Sequence, residues 1–193
     1  MNARTNEDRR PCYYATDNRG MEVEVVLDLA AEPVTLAEAK AYLGIDGTDH
    51  DGVLPYLITT ARQMMEKYSG YSFGEKTLKL YLDEFNNSRF ALPYGPVASV
   101  TAVSINGDAG ELDTHYELTA NKKIKVLSGY KDLVITYKTK GYNTENKIPA
   151  WMKGCTLAQL ALLFEHRGDE LQINHVGEAA QTIASPFMIL NIF

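Results

Sequence analysis

The chain has 193 residues, 45% of them hydrophobic and 23% charged, with a formal net charge of -6. That length and mixture suit one globular domain with arms, able to bury a core without metal or disulfide staples. The acidic balance argues against a general nucleic-acid binder, which needs a basic face to displace counterions from phosphates, although DNA could pass such a surface without sticking.

Its two cysteines, Cys12 and Cys155, lie in a polar N-terminal stretch and in an apolar helical stretch. They form no CxxC or Cys/His spacing, so neither zinc nor a disulfide framework is expected. The opening MNARTNEDRRPCYY is charged and has no apolar run, unlike a signal peptide. No stretch of about 18 apolar residues is present to span a membrane. These features together imply an intracellular soluble protein.

Along the chain, residues 1–31 are expected to be a leader or arm, loose over 1–20. Within it MEVEVVLDLA alternates, with Val23, Val25 and Leu27 on one side, as a strand or extended arm does. EPVTLAEAKAYLG (32–44) spells a short helix: Thr35 as N-cap, Glu38 closing a capping box and Gly44 as the stop. A second helix is expected from about Gly52 to Tyr68. Leu54, Leu57, Ile58, Ala61, Met64, Met65 and Tyr68 form its stripe, and Arg62, Gln63, Glu66 and Lys67 lie mostly off it. Pro55 suits only the first turn, which sets the start near Asp51 or Gly52.

The middle is β-rich. TLKLYLDEF, RFALPYGP, SVTAVSING, HYELTA, KIKVL and DLVITYKTKGY read as strands separated by turn residues, a small antiparallel meander. IPAWMKGCTLAQLALLFEHRGD (148–169) reads as the central helix, apolar nearly all round from Leu157 to Phe164. The expected fold is therefore α+β. A mainly helical body of three to four helices carries an inserted antiparallel β-hairpin or meander region over 77–142. The domain spans 32–170, and 171–193 forms a C-terminal arm.

The stretch IDGTDHDGVLPYL (45–57) crowds Asp46, Asp49, His50 and Asp51 together. A calcium loop aligned on Gly52 would place Gly47 first and Ile58 at the closing bidentate position, and neither side chain can ligand the ion. One histidine among these acids is too little for a transition metal. A solvated connector is also a poor place to shift a carboxylate's pKa. The expectation is that Asp49 or Asp51 caps the second helix and favours its dipole. Ser104, Ser128, His115 and His166 sit in no nucleophile motif, and no phosphate loop is present. No catalytic, cofactor or metal site is expected. The terminal FMILNIF is left as the notable feature. It either folds back on its own core or docks into a neighbouring protein.

Several phrases together carry a resemblance. They are EPVTLAEAKAYLGID, with its P-V-[ST]-L-A-E-A-K pattern, DHDGVLPYLITTARQMMEKYSGYSF, TLKLYLDEF, LPYGPVASVTAVSI, and IPAWMKGCTLAQLALLFEHRGD with its I-P-x-x-[MI]-K start. In this order they resemble the head–tail connector (adaptor) proteins of long-tailed bacteriophages over about residues 32–170. The resemblance implies a non-enzymatic virion protein. It would form a ring of about twelve copies under the portal and join it to the next neck or tail protein. DNA would pass through the centre without specific binding, and the chain would sit in the virion neck after assembly in the host cytoplasm. If so, apolar character and position make Phe187, Met188, Ile189, Leu190, Ile192 and Phe193 the expected portal contact. A stopper-type or tail-completion protein is the neighbouring alternative, and a small metal-dependent hydrolase the distant one.

Overall fold

The computed structural model describes residues 15–16, 21–82, 89–118, 123–127, 132–142, 147–167 and 175–188. Its strands are β1 (Ala15–Thr16), β2 (Met21–Leu27), β3 (Thr77–Leu82), β4 (Arg89–Ala91), β5 (Val97–Ile105), β6 (Asp108–Ala109), β7 (Tyr116–Leu118), β8 (Lys123–Val126) and β9 (Leu133–Thr139). Its helices are α1 (Leu36–Leu43), α2 (Leu54–Ser69), α3 (Ala150–Glu165) and α4 (Glu178–Ala184), the last followed by a 3-10 turn, Ser185–Phe187.

The fold is α+β, but the body is not mainly helical. Two antiparallel sheets form a full lobe: six strands in the order β1-β2-β3-β9-β5-β6, and three in the order β4-β8-β7. The physical reason is alternation that continues from strand to strand. Leu78, Leu80 and Leu82 of β3 lie opposite Tyr137, Ile135 and Leu133 of β9, all buried on one face. β2 adds Val23 opposite Leu80. The small sheet closes over that face with Ile124 and Val126, next to Leu92. Burying aliphatic rows from two sheets against each other makes a core of its own and needs no helix. The buried Tyr137 hydroxyl is satisfied by donating to the Pro93 carbonyl at 2.8 Å.

Leu27 departs from the expected alternation. A register shift between Val25 and Leu27 breaks the period of two, and Leu27 is left exposed while Val23 is buried. An extra residue in a strand turns the following side chains to the other face.

The helical lobe follows its local signals more closely. Thr35 Oγ1 accepts from the Glu38 N–H at 3.2 Å, and Glu38 Oε2 accepts from the Thr35 N–H at 2.9 Å, closing the capping box. Gly44 ends α1 at φ +66°, a conformation glycine adopts without steric cost. α1, α2 and α3 share a core of Val34, Ala39, Ile58, Ala61, Leu160 and Leu163. Met65, Phe73, Met152 and Cys155 form a second core with Ala180 and Ala184 of α4. Gln159, fully buried in α3, sets where α4 begins: its Nε2 donates to the His175 carbonyl at 3.1 Å and its Oε1 accepts from the Gly177 N–H at 2.8 Å.

Candidate functional site

The acidic stretch does not cap α2. The N-cap is Val53, which makes no side-chain bond, and Pro55 occupies the first turn as its ring requires. Asp51 instead forms an ion pair with Lys40 of α1 at 2.6 Å, and the connector closes through backbone turns onto the His50 carbonyl. The His50 ring packs edge-on against Phe164 of α3, centroids 5.1 Å apart. The stretch therefore staples α1, α2 and α3 together. Among the described residues no cluster of His, Cys, Asp and Glu could hold a metal.

The serines and histidines weighed as nucleophile and base stand in separate elements. Ser104 is in β5 opposite Ala109. His115 Nδ1 accepts from the Glu111 N–H within its own turn. His166 is the C-cap that follows α3, and Ser128 falls outside the described residues. Cys155 is buried, its Sγ donating to the Met152 carbonyl at 3.3 Å. Burial pushes its thiol up to about 12, far from a reactive thiolate.

Of the six residues in the C-terminal contact set, Phe187 and Met188 are described, and Ile189, Leu190, Ile192 and Phe193 lie outside the described residues. The Phe187 ring stacks on Trp151 of α3, centroids 5.0 Å apart and planes 8° from parallel. Trp151 in turn meets Tyr71 and Phe73 edge-on at 5.5 and 5.6 Å. Phe187 is still 45% exposed. Phe187 is thus seated on an aromatic cluster and only partly covered by it.

Sequence reasoning missed a buried polar constellation at the junction of the two lobes. Arg62 is 1% exposed. Its Nε donates to Glu32 Oε2 at 2.8 Å, its Nη1 to Glu66 Oε2 at 2.8 Å and its Nη2 to Asp28 Oδ2 at 3.0 Å. Lys76, just before β3, bonds Glu66 at 2.5 Å and Asp28 at 3.0 Å. Glu66 Oε1 also accepts from the Phe73 N–H at 2.8 Å. Burial alone would raise the Asp28 carboxyl, but Lys76, the Leu29 N–H and Arg62 overcome it and hold the group at about 2. Burial likewise works against the Arg62 charge, and Glu66, Glu32 and Asp28 more than offset it. Every charge has a partner, so the network is a tie and offers no nucleophile or general base. One signal could have found it. Ile58, Arg62 and Glu66 recur every four residues, so the charges continue the buried face of α2.

Comparison with known proteins now bears on what this frame is for. A family model described as head completion protein matches residues 32–166. Among solved structures, a chain from the neck of an empty gene transfer agent (GTA) particle computed with C6 symmetry superposes with a TM-score of 0.67. It is 16% identical, over 89% of this chain and 97% of that one. A chain from the neck of the native GTA particle computed with C12 symmetry gives 0.65 and 16%, with the same coverage. At that identity the likeness is one of fold. No curated protein matches. The family match runs from before α1 to the end of α3, and the chain belongs to the head completion protein family.

Proposed function

We propose that this chain is the ring-forming, non-enzymatic adaptor of a virion neck. About twelve copies sit coaxially beneath the portal and link the filled head to the next neck or tail protein. Its membership of the head completion protein family supports a structural head–tail connector role, and its likeness in fold to chains of GTA necks supports a place in the virion neck. The observation that supports the finer reading is at Phe187, the first residue of the uncharged apolar sequence FMILNIF: it stacks on Trp151 and is still 45% exposed. Exposed apolar surface of this kind needs a partner to cover it. We assign that cover to the portal, with Phe187, Met188, Ile189, Leu190, Ile192 and Phe193 as the contact. The net charge of -6 suits a conduit that lets DNA slide without gripping its phosphates.

The test is removal of residues 186–193. The body should fold, because Ala180 and Ala184 still close the core, and binding to purified portal should be lost in sedimentation or mass photometry. Normal portal binding by the truncated chain would overturn the assignment.

A further inference from the structure

The β5 strand, VASVTAVSI, has no charged residue and no proline. On one side it pairs with β9 along its length. On the other, among the described residues, β6 covers only Ser104 and Ile105, and the Gly110 N–H reaches the Val103 carbonyl. Val97–Ala102 therefore present an open strand edge, and Ala98, Ser99, Thr101 and Ala102 are exposed. Two register shifts bend this stretch, but no lysine, glutamate or proline guards it. An unguarded edge is a template for another strand.

The far edge of the same sheet is β1, two residues long, with no outer partner among the described residues. The sequence entering it, CYYAT, is rich in β-favouring side chains. One sheet thus carries an acceptor edge at one end and a short N-terminal strand at the other. Joining the two between copies uses a different surface on each copy. Such a heterologous contact repeats around a rotation axis and closes into a ring, whereas β5 against β5 would stop at a pair. We propose that the β5 edge of each subunit takes the N-terminal strand of the next, so that one continuous sheet crosses every subunit boundary. This rests on the ring reading given above.

The experiment uses the full chain with Cys12→Ser; Cys155 is buried and silent. Thr16→Cys and Thr101→Cys are introduced singly and together, and rings assembled with purified portal are oxidised and run without reductant. The double variant should give a ladder reaching the closed ring, and each single variant should stay monomeric on the gel. Separately, Ala98→Lys with Ala102→Lys should leave the circular dichroism and Tm of the monomer unchanged and abolish rings. Rings without a ladder, or rings formed as well by the lysine variant, would overturn the edge assignment and leave the ring reading standing. A Thr101→Cys variant that crosslinks alone into pairs would also overturn it. Absence of rings when the unmodified chain is mixed with purified portal would overturn both.

Discussion

The two lobes of this chain are held by different physics. In the β lobe, Leu78, Leu80, Leu82, Leu133 and Ile135 meet Ile124 and Val126 in a core that is aliphatic apart from one hydrogen-bonded tyrosine. At the junction with the helical lobe, Arg62, Glu66 and Lys76 are buried nearly as deeply, and their partners Asp28 and Glu32 reach in from the segment after β2. Aliphatic packing is tolerant: side chains of similar volume substitute for one another at small cost. A buried ionic tie is not, because removing one member leaves buried charge, here that of Glu66, with too few partners. The junction thus fixes how sheet and helices sit together, and the cores supply the bulk of the stability.

The largest effect should come from the junction. Arg62→Ala leaves Glu66, Glu32 and Asp28 with Lys76 as their remaining cation, and should cost about 4 kcal/mol in urea unfolding, as breaking a buried pair does. A loss under about 1 kcal/mol would mean that solvent replaces the guanidinium and that the junction is no tie. Leu80→Ala should follow, at about 3 kcal/mol from lost burial and the cavity left behind. Leu80→Met should cost much less, and an Arg62→Lys change should recover little, since lysine cannot present the same fork to three carboxylates.

A smaller effect separates the lobes by pH. The Asp28 carboxyl is held at about 2, below its ordinary 3.8. A carboxylate with a depressed folded value stabilises the fold above its ordinary value and loses that contribution as pH falls through the folded one. Stability should therefore drop between about pH 4 and pH 2, and Asp28→Asn should flatten that drop. The Asp28 side chain is 36% exposed, so solvent screening keeps the effect modest. Leu80→Ala should lower the whole curve without changing its slope in this window.

The same contrast explains what the sequence disclosed. Signals carried by neighbours along the chain were legible: the Thr35–Glu38 capping box, Gly44 as a stop, Pro55 in the first turn, and the alternating leucines of β3. Signals that depend on a distant partner were not. Asp51 had the chemistry of a cap, but Lys40, eleven residues away, holds it elsewhere. Arg62 and Glu66 read as lying mostly off the apolar stripe, because the charges that permit their burial lie on other elements. The weight of the β lobe was underestimated because β2 and the hairpins become one lobe only when the sheets stack. Phe187 was singled out from apolar character, and its seat on Trp151 had no signature in the sequence. Four of the five residues named with it lie outside the described residues.

The most direct test of the neck-connector account is negative-stain imaging and mass photometry of the purified chain, alone and mixed with its portal. The account predicts closed rings of about twelve copies stacked coaxially on the portal, whether or not the isolated chain closes by itself. A chain that stays strictly monomeric at high concentration and ignores the portal would contradict it.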